Sequence, residues 1–167
     1  MKPLAAATAA VLAASAGGVP AQDLLYSDEH TASCLEAGEY PDARKACIGV
    51  SANACMEDSP GGFTTVGRAG CLSLELDYWD RRLNASYRDL MRRERRDDAE
   101  MAGTGAPSRA QALRAMQRAW IPFRDASCAY ARAQWGGGTG GGPAELGCLL
   151  QMTAEQTLAL EDPAGGN

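Results

Sequence analysis

Residues 72–90, LSLELDYWDRRLNASYRDL, carry one continuous apolar face. Leu72, Leu76, Trp79, Leu83, Tyr87 and Leu90 recur at intervals of four, three, four, four and three. A helix of about 3.6 residues per turn brings such positions onto one side. Arg81, Arg82, Arg88, Arg92 and Arg93 fall between them, toward solvent. The spacing predicts a long amphipathic helix from about Ala69 to Ala99, ended by Gly103-Thr104-Gly105-Ala106-Pro107.

Working outward, Pro107 and Ser108 sit where a new helix starts. A second long helix is expected over Arg109 to Gln134, with Leu113, Met116, Trp120, Phe123 or Arg124, Ser127 and Ala131 on its inward face. Pro122 removes a backbone donor there, so a kink near Ala119 to Ile121 is expected, with a full break as the lesser alternative. Gly136 to Gly142 (GGGTGGG) interrupts the helix. Pro143 restarts one, whose apolar face is Leu146, Leu149, Leu150, Thr153, Thr157 and Leu160. Upstream, residues 22–40 read as an irregular acidic lead-in. Pro41 and Asp42 open a short helix over Ala43 to Met56, broken by Ser59 to Gly67 (SPGGFTTVG). Phe63 to Val66 is the single strand candidate, and no segment alternates with period two. The fold expected is all-α: a bundle of about four helices, two of them long, with Gly-rich loops. It occupies residues 41–162 and is followed by a disordered tail, 163–167.

The chain has 167 residues, and residues 1–21 read as an export signal. Lys2 gives a positive start, Leu4 to Ala16 is apolar, and Val19-Pro20-Ala21 offers small residues for cleavage after Ala21. That apolar run is shorter than the roughly 20 residues a spanning helix needs. No later stretch is apolar enough to span, so a soluble periplasmic or secreted product is expected. About 146 residues remain, enough for one domain. The formal charge of −5 becomes −6 once Lys2 is removed. An acidic chain lacks the clustered Lys and Arg that phosphate neutralisation requires, which argues against nucleic acid as a partner. The lone histidine, His30, argues against Cys/His zinc arrays and Ser-His-Asp triads. No cofactor or metal is expected.

Cys34, Cys47, Cys55, Cys71, Cys128 and Cys148 form an even set, which an oxidising compartment turns into disulfides. Six cysteines allow 15 pairings, and sequence alone does not choose among them. Cys128 and Cys148 flank the Gly136–Gly142 turn, Cys55 and Cys71 flank Ser59-Pro60-Gly61-Gly62, and Cys34 and Cys47 remain, so Cys34–Cys47, Cys55–Cys71 and Cys128–Cys148 are the favoured pairs.

Three strings stand in order: WDRRLNASY at 79–87, QRAWIPFRD at 117–125 with Cys128 three residues on, and the Gly-rich turn followed by Cys148, Leu149 and Thr153. Together they resemble the N-terminal domain family of LprI, a bacterial lysozyme inhibitor, over roughly Cys55 to Leu160. The resemblance implies an exported, mostly helical, disulfide-bonded binding domain without a catalytic role. It points to lysozyme as partner. The alternative reading is a structural or envelope-stress periplasmic protein that binds another envelope component. No cysteine lies near the cleavage point, so lipid anchoring does not carry over.

The motif residues Trp79, Asp80, Leu83, Asn84, Tyr87, Gln117, Trp120, Arg124 and Asp125 are read as structural. Trp120 is expected in the core, with Arg124 against its ring and paired to Asp80 or Asp125. Asn84 and Tyr87 are expected to hydrogen-bond between helices. Arg92-Arg93-Glu94-Arg95-Arg96 reads as a solvated helix end, and His30 as a surface residue. Asp80 and Asp125 are the first carboxylate pair to test for acid/base work, which would need a polar cleft without an arginine between them. Residues 22–67 hold eight acidic and two basic residues, a surface suited to steering toward a cationic partner. The Ser59–Gly67 and Gly136–Gly142 loops are the candidates for entering or covering a substrate cleft.

Overall fold

A computed structural model describes residues 23–163. The export signal, its cleavage point and the tail beyond Pro163 lie outside the described residues. Six helices follow in order: α1 (Glu29–Ala37), α2 (Pro41–Lys45), α3 (Val50–Asp58), α4 (Thr65–Glu100), α5 (Arg109–Ala133) and α6 (Gly141–Glu161). Among the described residues there is no strand. Phe63 and Thr64 lead into α4, and Val66 lies in its first turn.

Helix α4 runs 36 residues, starting earlier than its periodicity indicates. Thr64 caps it, its hydroxyl accepting from the Gly67 N–H at 3.1 Å. Ser108 caps α5 in the same way through Gln111 N–H, also at 3.1 Å. Asp98 adds to that cap, accepting from Ser108 Oγ and from the Arg109 and Ala110 N–H groups. These bonds hold its carboxyl below the ordinary aspartate value, the Ser108 bond first. The two long helices expected, α4 and α5, form the body together with the 21-residue α6, which packs against both. Helix α5 passes through Pro122 unbroken.

Two expectations are corrected at the N-terminal side. The lead-in is not irregular throughout, because Glu29–Ala37 forms α1. Thr31 and Leu35 of that helix are buried, so the core reaches upstream of residue 41. The Asp28 side chain does not cap α1; locally only Ser27 Oγ accepts, from the Glu29 N–H at 3.2 Å. Instead α1 and α3 cap each other: Thr31 N–H donates to Ser51 Oγ at 3.0 Å, and Ser51 N–H to Thr31 Oγ1 at 3.1 Å. The single helix expected over Ala43–Met56 is split into α2 and α3. Gly49 sits between them at φ +89°, a left-handed conformation that glycine adopts without cost.

The core has two parts. One gathers Leu35, Met56, Trp79, Leu150 and Leu158 around the sulfurs of α1–α4. The other holds Leu83, Leu90, Met91, Leu113 and Leu160 between the far halves of the long helices. Disulfides join Cys34 to Cys47, Cys55 to Cys71 and Cys128 to Cys148, with Cα separations of 5.6, 5.7 and 5.4 Å. Each such bridge is worth about 2–4 kcal/mol, largely by restricting the unfolded chain.

Glu161 fastens the end of α6. It accepts from Arg44 of α2 and from Arg82 and Ser86 of α4. Burial pushes its carboxyl up, but the Arg82 and Arg44 bonds and the Arg82 charge outweigh that and hold it below the ordinary value of 4.5. A depressed folded-state value gives stability that is fully present above the unfolded value and is lost as pH falls through the folded one. The melting temperature of wild type should therefore fall on acidification through the carboxylate range more steeply than that of Glu161→Gln, which starts lower at neutral pH. Parallel acid profiles of the two proteins would contradict this role.

Candidate functional site

The motif residues meet mostly inside the bundle. Trp79 is fully buried, and its indole N–H donates to Glu75 Oε1 at 3.0 Å. Glu75 is also fully buried. The same oxygen accepts from Thr31 Oγ1 at 3.0 Å and Gly49 N–H at 2.8 Å, while Oε2 accepts from Ala52 N–H at 2.7 Å. One carboxylate thus closes the N-terminus of α3, where orphan N–H groups and the helix dipole favour negative charge. It also anchors α1 and the central tryptophan. Sequence reading missed Glu75, although one signal was present: it stands four residues before Trp79 on the inward face of α4.

Arg124 links α5 to its neighbours. It lies over the Trp120 ring at 5.1 Å, bonds Asp125 Oδ1 through Nε and Nη2, and donates from Nη1 to Thr153 Oγ1 at 3.2 Å. Asp80 of α4 lies 3.6 Å from Nη1. Burial pushes the Asp80 carboxyl up, with Asp77 and Asp125 adding to the rise and Arg124 opposing it. The guanidinium stands between Asp80 and Asp125, so the pair is an arginine clamp and not an open acid/base dyad. Gln117 accepts from Gln156 Nε2 at 3.0 Å, joining α5 to α6.

Other expectations change. Trp120 is half-buried beside the second core cluster and does not fill the core. Of the alternatives Phe123 and Arg124, Arg124 turns inward and Phe123 points outward, 64% exposed, while Met116 is 42% exposed with its sulfur against Gln156 Nε2 of α6 at 3.3 Å. Asn84 bonds its own helix, donating to the Asp80 carbonyl at 2.9 Å, and Tyr87 packs against the second cluster. His30 is exposed, as are Arg92, Arg93, Arg95 and Arg96. Glu94, inside that basic cluster, is buried and pairs with Arg109 of α5 at 2.7 Å. Among the described residues, no group of three or more His, Cys, Asp or Glu side chains is placed to hold a metal ion.

What the structure does bring together is the two Gly-rich loops. Phe63, Arg68 and Leu72 share a groove of about 560 Å3 with Trp135, Gly140 and Pro143. Val66 and Ala69 face Arg132, Ala133 and Gly138 across a neighbouring one. The first loop is tightly held. Gly62 N–H donates to the Ser59 carbonyl, Ser59 Oγ accepts from Leu25 N–H, and a side chain at Gly67 would run into the Gly61 carbonyl. Cys55–Cys71 staples its base. The second loop is stapled by Cys128–Cys148, and Arg132 pairs with Glu145 across its mouth at 2.7 Å. Phe63, Val66 and Trp135 protrude from this anchored end, 62%, 72% and 55% exposed. Apolar side chains held outward on a braced backbone suit contact with another molecule.

Comparison with known proteins agrees with a contact function. Residues 55–160 match the family model described as "Lysozyme inhibitor LprI". The chain is 28% identical over 152 residues to an uncharacterized 17.7 kDa protein in the puhA 5' region of Rhodobacter capsulatus, covering 89% of this chain and 92% of that one. It is 29% identical over 124 residues to an uncharacterized protein of Rhizobium meliloti (strain 1021), covering 73% of this chain and 78% of that one. No solved structure matches the chain.

Proposed function

This chain belongs to the lysozyme inhibitor LprI family, and we propose that it is an exported binding protein that inhibits lysozyme with the end of the bundle where its two Gly-rich loops meet. The observation that carries this reading is the protrusion of Phe63, Val66 and Trp135 from loops braced by disulfides. A substrate cleft is concave, and buried aromatic anchors supply most of the energy in such contacts. Bracing lowers the ordering cost paid on binding. Disulfides and the leader-like residues 1–21 support an oxidising compartment outside the cytosol. Glu29, Glu36, Glu39, Asp42, Glu57 and Asp58 are exposed on α1–α3 and the adjoining turns, which favours encounter with a cationic target. The arginine between Asp80 and Asp125 supports recognition over catalysis.

The test is a titration of lysozyme activity with the oxidised mature chain at low and moderate salt. Saturable inhibition at micromolar concentration, weaker at higher salt, is expected. Phe63→Asp combined with Trp135→Asp should weaken it by about tenfold or more with unchanged melting. No inhibition by the wild-type protein at these concentrations would remove the lysozyme reading and favour another envelope component.

A further inference from the structure

We propose that the outward face of α5 is a self-association surface, through which two copies of this chain pair antiparallel. Met116, Phe123 and Tyr130 stand seven residues apart along α5, 42%, 64% and 66% exposed. Ala112, Ala119, Ala126 and Ala133 fill the positions between them, and all four are exposed. The intervals alternate four and three across the helix, which is the spacing of a coiled-coil seam. Ala115, Pro122 and Ala129 widen the band on one side without adding charge. The charged residues Arg114, Arg118, Asp125 and Arg132 keep to the opposite flank.

Between Ala119 and Tyr130 the band is exposed; at one end Met116 Sδ accepts from Gln156 Nε2 of α6 at 3.3 Å, and at the other Ala129 and Ala133 border the groove beside Val66 and Ala69 of α4. Phe123 and Tyr130 each present about two-thirds of a surface of roughly 200 Å2. With Met116 and the alanines, the band reaches several hundred square ångströms per copy. A patch of that size on a monomer often marks a contact site, and it falls short of the roughly 800 Å2 each partner gives to a standard interface, as suits a weak, reversible pair.

The pattern itself selects a second copy as occupant. All large side chains occupy one of the two seam positions and all alanines the other. In an antiparallel pair the two positions face each other, so every large side chain of one copy meets an alanine of its partner. The surface is self-complementary under a two-fold axis, as a closed dimer requires. A parallel pair would stack large on large and leave alanine opposite alanine. This inference does not rest on the lysozyme reading: the band shares only its last turns, Ala129 and Ala133, with the groove beside the loops, and Met116 to Ala126 lie along the bundle.

Sedimentation analysis of the oxidised mature chain, which lacks residues 1–21, tests it. A reversible monomer–dimer equilibrium in the micromolar range is expected. Ala119→Glu and Phe123→Glu should each weaken it by about tenfold or more, since a carboxylate in an apolar seam is left unpaired. Both sites are exposed, so the variants should keep the helical dichroism and melting of the monomer. Arg118→Glu, on the charged flank, should leave the equilibrium unchanged. Nitroxides on Gln111→Cys should report opposite ends of the pair, about 30 Å apart along the helices. A mature chain that stays monomeric at hundreds of micromolar would overturn the proposal. So would labels in close contact, or a band that is covered only when residues 1–21 are retained.

Discussion

Glu75→Ala will cost about 3–5 kcal/mol of stability, the range for breaking a buried, hydrogen-bonded charged network. The reason is the number of donors this one carboxylate serves. Its loss strands Trp79 Nε1, Thr31 Oγ1 and the N–H groups of Gly49 and Ala52, all within the core or at its edge. An unsatisfied buried donor costs about 1–3 kcal/mol, and the four do not add independently. Glu75→Gln separates charge and acceptor number from shape. Its amide oxygen can replace Oε1, but its NH2 then faces the Ala52 N–H, donor against donor. It should be destabilising by less than alanine, yet clearly so. Denaturant unfolding monitored by far-ultraviolet dichroism measures both. If either variant unfolds at the wild-type midpoint, Glu75 is not the anchor described above.

The second large effect separates the two motif tryptophans. Trp79→Ala should lose about 3–5 kcal/mol, the cost of an emptied core site. Its ring is fully buried, with an edge contact to Tyr78 at a centroid distance of 5.4 Å. Trp120→Ala should lose clearly less, because that ring is half-exposed and its main partner is the Arg124 guanidinium, a contact worth about 0.5–1 kcal/mol near a surface. Equal losses, or the reverse order, would show that the second core cluster depends on Trp120 more than its burial indicates. Because Trp79 and Glu75 share a hydrogen bond, Trp79→Ala in the Glu75→Ala background should cost less than it does alone.

The parts legible in the sequence are those governed by local periodicity and local chemistry. The apolar spacing of residues 72–90 and the Ser108 cap lie within single helices, and each names its element without help from elsewhere. Helix α1 is not legible because only the Glu29 N–H finds a local acceptor, Ser27 Oγ, while the buried Thr31 N–H is satisfied by Ser51, twenty residues away. On α5 the sequence leaves Phe123 and Arg124 as alternatives for the inward face; Arg124 takes it, with Leu113, Gln117 and Trp120, toward α4 and α6, while Phe123 stays outside. A helix with apolar residues on two sides gives no periodicity that tells them apart. The two Gly-rich loops stand out individually by composition. Their meeting at one end follows from the return of α5 and α6 along α4, which no local signal contains.

The central claim is that the braced loop end makes the contact with lysozyme. Amide hydrogen exchange of the oxidised mature chain, with and without saturating lysozyme, addresses it directly. Slowed exchange confined to residues 59–67 and 132–142, with α1–α3 and the middle of α5 unchanged, is the expected result. Slowed exchange elsewhere with these loops unaffected, or no change anywhere, would contradict it.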